Sequence, residues 1–437
     1  MDSDDTLPRR CGEKLRLLAD GDHRPEILGY VMQVHCPGND PGDVTVVDHV
    51  KLIRNQPDLR FEFRIHEQIL PAIRRAGRDV AFTEIYVVHS GSDRTRDGQA
   101  KKLERDFHLL NLELRDRPDH PFVLFNLGMT HADCGQHAET IWFLQRCLEV
   151  SGRDESHVRK VYALLISSLI QTGQADAAER YCRQGCDLFP DDKELLFRQA
   201  MFDHQAGRLE ESAATYQRIL SESCERHFTS IDAALAGNKS RHNLAMVYED
   251  NGRWDQAEEQ WRGILREAPD YQLAWRGVGG CLLQQNRDNE VAVLCETLAS
   301  RPEGHREELM LRGQLAARRH DGETALRDWD QADQLDPSDT AALRLICRFL
   351  FEEGCWSEAA TALKDLAHRA PGDASVWQNL GVVRLRSGIP DGAVEALRLS
   401  LRLRPDSPAA KAFLNDAMIA VSLKEAAAKT SELTEEL

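Results

Sequence analysis

A chain of 437 residues with 42% hydrophobic and 29% charged residues has enough apolar material for a sizeable core and is not biased toward disorder. Its 72 acidic against 55 basic residues, a formal net charge of −17, argue against general nucleic-acid binding, which needs a basic surface to displace counterions. No apolar run approaches the ~20 residues of a membrane span, and the start MDSDDTLPRR lacks the basic and apolar regions of a secretory signal.

The first ~115 residues alternate strands and helices, the order of an α/β unit. Asp2, Ser3, Asp4 and Asp5 form an acidic cluster, and residues 11–18 read as a short helix with Leu15, Leu17 and Leu18 apolar. Residues 30–35 read as a strand, 44–50 and 51–53 as one or two more, with a turn-rich loop at 37–42 between them. Phe61, Phe63 and Ile65 alternate with Glu62, Arg64 and His66, the period of a half-buried strand. A helix runs through Ile69, Ala72 and Ile73 to Gly77, a strand over 80–88 ends at His89, and a long amphipathic helix covers 94–114. With no strand before the acidic cluster, the sheet edge there is left raw.

From residue 121 a different period takes over. The stretch 374–405, ASVWQNLGVVRLRSGIPDGAVEALRLSLRLRP, carries Trp377, Leu380 and Gly381 near its start, then Gly388, Ala393 and Leu397, and closes on Pro405. It resembles the 34-residue helix–turn–helix unit of the tetratricopeptide repeat (TPR), and the same period leads back to Pro371 and Pro337. Earlier units carry Leu127, Gly128, Gly135, Thr140 and Leu144, then Tyr162, Gly173, Ala178 and Pro190, then Leu196, Ala200, Gly207 and Tyr216. An insert at 224–237, with Phe228 and Ile231, breaks the period. Five regular units follow, making about eight over 121–405.

Within the array Tyr248, Trp261, Trp275 and Trp329 are assigned to the core, and Cys147, Cys295 and Cys347 to buried helical positions where cysteine acts as a small hydrophobe. Cys182 and Cys186 are one turn apart, but no second cysteine pair or close histidine completes a metal site. The scattered cysteines, 11 in all, read as reduced thiols in a cytoplasmic protein. Ser407-Pro408 opens a capping helix at 406–424, in which Phe413, Leu414, Met418 and Val421 cover the last unit. Residues 425–437 read as a fraying charged tail.

Four segments in order, MDSDDTLP, FRIHEQILP, YVVHSGS and KKLERDFHLLNLELRDRPDHPFVLFNLG, resemble the second half of a family 2 glycosyltransferase domain fused to TPR repeats, over roughly residues 1–130. The resemblance implies a mainly α protein. A partial α/β (GT-A-like) domain at 1–115, without the donor-binding half, precedes a right-handed TPR α-solenoid. It implies metal-dependent transfer of a sugar from a nucleotide-sugar donor to a protein or glycan acceptor. A divalent cation, Mg²⁺ or Mn²⁺, would sit on Asp2 and Asp4 with His89 as a further ligand, and Glu67, beside His66, would remove the acceptor proton. The family's glycine–tyrosine after the strand-end histidine is replaced here by Ser90-Gly91-Ser92.

The same residues also fit plainer roles: a solvated acidic N-terminus, a polar strand face at His66, and an acid opening a helix at Glu67. The alternative function is a non-enzymatic scaffold that binds protein or peptide segments in the groove lined by the first helix of each unit. By helical position Lys239, His242, Asn243, Arg276, Arg344, Arg348 and Gln378 face that groove.

Overall fold

The computed structural model describes residues 5–21, 24–37, 44–89, 95–153, 155–221, 231–301 and 303–435. Asp2 and Asp4, loop residues 38–42, Ser90, Gly91 and Ser92, and Cys224 and Phe228 of the insert lie outside them. The chain divides into two compact units, Met1–Ile264 and Leu265–Leu437. It is mainly helical and TPR-like, with a small sheet in the first unit. Among the described residues no helix is long and apolar enough to cross a membrane.

The first unit opens with β1 (Asp5–Thr6), α1 (Arg9–Gly21), β2 (Ile27–Pro37), β3 (Val44–Ile53), α2 (Leu70–Arg75), β4 (Asp79–His89) and α3 (Arg96–Asp116). A fifth strand, β5 (Ile231–Asp232), comes from the insert, and the sheet order is β1-β4-β2-β3-β5. β2 pairs antiparallel with β3, from Gly29 opposite Ile53 to Pro37 opposite Val44, and runs parallel to β4. β1 covers only the last two residues of the β4 edge, Thr6 opposite Val88 and Asp5 opposite His89. α1 packs Cys11, Leu15 and Leu18 with Met32 and Ile85, while Ala72 and Ile73 of α2 bury Leu28 and Leu59.

Residues 44–53, read as one or two strands, form one. One expectation for this region needs correction. Residues 61–65 are not a strand: apart from a bridge between Glu62 and Gln68 the segment bends, and Phe63 and His66 take positive φ, 70° and 53°. The cause lies in the helices that follow. Ile65 is buried with Leu110, Val123 and Leu127. The Phe63 ring sits 4.6 Å from that of Phe122 and under the Arg117 guanidinium, and Arg64 pairs with Glu113 and Asp116. Alternate residues thus meet helices rather than the two faces of a sheet.

The array follows as antiparallel helix pairs. In the first unit these are α4 (Pro121–Asp133) with α5 (His137–Val150), α6 (Val158–Gln171) with α7 (Ala175–Leu188), α8 (Lys193–Gln205) with α9 (Leu209–Ser221), and α10 (Asn238–Asp250) with α11 (Trp254–Glu267). In the second they are α12 (Gln272–Gln284) with α13 (Asp288–Ala299), α14 (His305–Arg318) with α15 (Gly322–Leu335), α16 (Ala341–Glu352) with α17 (Trp356–Arg369), and α18 (Ala374–Arg386) with α19 (Pro390–Leu403). The first helix of each pair ends on a residue with positive φ: Gly135, Gly173, Gly207, Gly252, Asn286, His320, Gly354 and Gly388. Glycine reaches that conformation without a Cβ penalty, which explains the glycine spacing in the repeat.

Tyr216, Tyr248, Trp261 and Trp329 are buried, as are Cys147, Cys295 and Cys347. Burial pushes these three thiols up to about 11, 11 and 12, so they stay protonated and act as apolar groups. Trp275 departs from the expected core role: half-buried, it donates its indole N–H to the Pro269 carbonyl, as Trp377 does to Pro371. The terminal helix α20 (Pro408–Glu435) also runs further than expected, through the helix-favouring stretch KEAAAK, where a frayed tail was expected. Phe413, Leu414 and Ala417 pack on Ala393 and Leu397, whereas Met418 points outward, 49% exposed.

Two neighbouring glycines in α12 test how closely the helices pack. A Cβ on Gly279 would run into the side chain of Leu311 on α14, while Gly280 has nothing within 4 Å. We expect Gly279→Ala to destabilise by about 1–3 kcal/mol through overpacking and Gly280→Ala to stabilise by about 0.5–1 kcal/mol by lowering chain entropy in a helix. Urea midpoints of the two variants should move in opposite directions.

Candidate functional site

β1 and the end of β4 place Asp5 against His89, with the imidazole Nδ1–H donating to Asp5 Oδ1 at 3.0 Å. The other carboxylate oxygen takes Lys51 Nζ at 3.0 Å, and the Asp5 side chain is fully buried. A carboxylate removed from water needs such partners to stay ionised. His66 has different neighbours: desolvation by the surrounding protein pushes its pKa below the ordinary imidazole value, with Asp106, Lys102 and Arg105 of α3 and the adjacent Glu67 as the charges that act on it. Glu67 is exposed, and its side chain makes no hydrogen bond or ion pair among the described residues.

The expected set therefore separates by contact. Asp5, Lys51 and His89 come together, while His66 and Glu67 lie on the bend beside α3. Asp5 was read only within the solvated acidic cluster, whereas its side chain is buried, and Lys51 was not singled out, because the pairing joins residues 46 positions apart. Among the described residues no three His, Cys, Asp or Glu side chains converge as a metal site, and Lys51 already meets the charge of Asp5. On their own these residues do not make a site for Mg²⁺ or Mn²⁺. Cys182 lies buried with its Sγ donating to the Leu195 carbonyl at 3.8 Å, and its interaction with Cys186 raises the first pKa and lowers the second.

The groove residues of the first unit are engaged within the protein. Lys239 Nζ meets Asp232 at 2.7 Å, Asn243 Nδ2 donates to the Tyr216 hydroxyl at 3.0 Å, and the His242 ring stands edge-on to Trp261 with centroids 4.9 Å apart. In the second unit Arg276 forks onto Glu307 at 2.7 and 3.0 Å and reaches Asp339. Arg344 pairs with Asp373 at 2.9 Å, and Gln378 accepts from the Ser407 hydroxyl. Arg348 differs: exposed on α16, it has no side-chain partner among the described residues.

Arg344 and Arg348 line a cavity of about 270 Å³ between α16, α17 and α18. Its wall is apolar, from Cys347, Phe351, Leu363, Leu366 and Val376, and Glu352, Ser375 and Asn379 complete the lining. The side chains of Glu352 and Asn379, like that of Arg348, make no hydrogen bond or ion pair among the described residues. Arg344, Arg348 and Glu352 recur at four-residue spacing on one face of α16. That stripe was the available sequence signal, and extending it would have added Glu352. Cys347 occupies the repeat position filled by Gly313 and Gly381 in α14 and α18. Its side chain stands where those helices have none, and α16 packs less extensively on α17 than α18 does on α19.

Residues 164–224, 242–293 and 348–408 match a tetratricopeptide repeat family model. A TPR repeat-containing protein of Synechococcus elongatus is 24% identical over 279 residues, covering 62% of this chain and 57% of that protein. Similar solved structures include the C-terminal part of a TPR repeat-containing protein from Cytophaga hutchinsonii, with TM-score 0.43, 11% identity, and coverage of 56% of this chain and 95% of that one. Another is a tetratricopeptide repeat protein from Parabacteroides merdae, with TM-score 0.40, 15% identity, and coverage of 60% and 98%. The TPR character of the array stands on the family matches and on the helix pairs described above.

Two outcomes are expected in the first unit. Asp5→Ala removes a fully buried carboxylate bonded to both Lys51 and His89 and should destabilise by about 3 kcal/mol, read from urea unfolding. Burial lowers the pKa of His242, so the folded state holds the ring neutral while the unfolded chain takes a proton near pH 6.5. The resulting stability is present above that pH and is lost as pH falls through the lowered folded value. An NMR titration should find His242 titrating below 6.5, and His242→Gln should flatten the acid limb of the stability curve.

Proposed function

We propose that this chain is a TPR scaffold that holds extended segments of partner proteins, and that the cavity between α16, α17 and α18 is a principal anchor. The observation that carries this reading is the combination of an apolar cavity with three lining polar side chains, Arg348, Glu352 and Asn379, that have no partner among the described residues. Polar groups already tied to neighbours, as at Arg276, Arg344 and Asn243, must give up bonds to meet a ligand. Arg348, Glu352 and Asn379 need only release water. An apolar anchor pocket with a few converging polar groups is the usual form of a peptide-binding groove. We place the protein in the cytoplasm, where the thiols of Cys147, Cys295 and Cys347 stay reduced.

A second reading is metal-dependent sugar transfer from a nucleotide-sugar donor, with Mg²⁺ or Mn²⁺ on Asp2, Asp4 and His89 and with Glu67 and His66 at the acceptor. The orientation of His89 by Asp5 favours it, since a carboxylate behind an imidazole is a common support for a ligating ring. Binding of nucleoside-diphosphate sugars with and without Mn²⁺, to wild type and His89→Ala, separates the two readings. Metal-dependent binding lost in the variant would favour transfer.

The scaffold reading is tested with a photo-crosslinking residue at position 348 or 379 of the full chain, incubated with a library of random nine-residue peptides. Peptide should be retained and cross-linked at both positions. No capture of any peptide at either position would sink the anchor assignment.

A further inference from the structure

We infer that the segment held in this cavity carries an acidic side chain next to a large apolar one, with its carboxylate on Arg348 and its apolar side chain inside. The inference rests on the scaffold reading above and names the chemistry of the occupant.

Charge is the first ground. Elsewhere in this unit Arg276, Arg306, Arg312 and Arg369 each hold a carboxylate within the protein. Arg344, one turn before Arg348, holds Asp373. On a chain of net charge −17, Arg348 stands exposed at the mouth of a cavity with no such partner among the described residues. A guanidinium presents a planar fork of donors that matches a carboxylate. The ligand supplies the anion that the chain supplies at those other sites.

The second ground is the shape and polarity of the lining. At about 270 Å³ the cavity is smaller than the pockets that enclose whole drug-sized ligands. It suits one large aliphatic or aromatic side chain against Phe351, Leu363 and Val376. Glu352, one turn beyond Arg348, gives the site a direction. An acidic residue at that end of the segment would face a like charge, so the carboxylate belongs at the Arg348 end. The Asn379 amide can both donate to and accept from the backbone of an extended segment.

The test uses the full chain and three fluorescein-labelled, end-capped peptides of equal length, with central Glu-Leu, Lys-Leu or Glu-Ser. Anisotropy should show the Glu-Leu peptide binding about tenfold or more tightly than either of the others, the scale of one charge-assisted hydrogen bond or one buried anchor. Its affinity should fall as salt rises. Arg348→Glu should reverse the order of Glu-Leu and Lys-Leu, and Arg348→Gln, which keeps a polar side chain, should abolish the difference. Circular dichroism checks that both variants fold. Equal binding of Glu-Leu and Lys-Leu to wild type, or a preference that survives in both variants, overturns the inference. These outcomes are distinct from failure of the scaffold reading. In that case no peptide cross-links at 348 or 379, whereas here peptides cross-link without preferring an acid.

Discussion

Three helix pairs, α4–α5, α14–α15 and α18–α19, close where the first helix gives up its side chain to the second. Gly381 lies so near Leu397, and Gly313 so near Trp329, that a Cβ would stand 2.5 Å from Leu397 Cγ and from Trp329 Nε1. The large residue fills the space left empty, and the pair then presents a continuous apolar flank to the next repeat. A side chain returns at this position in α6, α8, α10 and α16, as Ile166, Ala200, Ala245 and Cys347. Cys347 keeps a side chain there, and beside it lies the cavity between α16, α17 and α18. The close approach at Gly313 and Gly381 and the cavity beside Cys347 thus fall at one repeat position.

Acidic residues are part of the same construction. Asp192 caps α8 by accepting from the Leu195 N–H and receives Arg159 from α6 at 2.5 Å. Asp373 caps α18 through the Ser375 N–H and receives Arg344 from α16. One carboxylate therefore ends a helix and ties it to the preceding repeat. A buried ion pair adds little net stability over an apolar contact, but losing one partner is costly, so such pairs discourage slippage between neighbours. Many of the acids behind the net charge are engaged in this way, which is why total charge describes the partner surface poorly.

The array was legible in the sequence because its determinants are local and periodic. Glycines that end the first helices, small residues at the close approach and prolines at unit boundaries recur at about 34 positions. Where Asn286 and His320 replace glycine, the rest of the pattern still marks the turn. The bend at 61–65 was misread because strict alternation appears equally when neighbouring residues reach different helices. β5 was missed because two residues leave no periodic trace. The groove positions were identified as helix faces, but their ion-pair partners, 7 to 63 residues away, were not visible. Arg348 stands out only once those partners are known. The family resemblance of the first 130 residues rests on four segments in order, the first of which holds Asp2 and Asp4 outside the described residues, and it bears on the proposals rather than on the fold.

The short strand β5 gives the chain an unexpected connectivity. Ile231 and Asp232, from the insert between the third and fourth helix pairs, hydrogen-bond opposite Val46 and Thr45 at the margin of the sheet. Asp232 also holds Lys239 on α10. The sheet is thus completed by residues encoded almost two hundred positions after its neighbouring strand. A cut in the linker between α3 and α4 would not yield two self-sufficient pieces, since each would lose a seam to the other. The sheet and the fourth helix pair are thus joined through β5, and unfolding of one should be felt at the other.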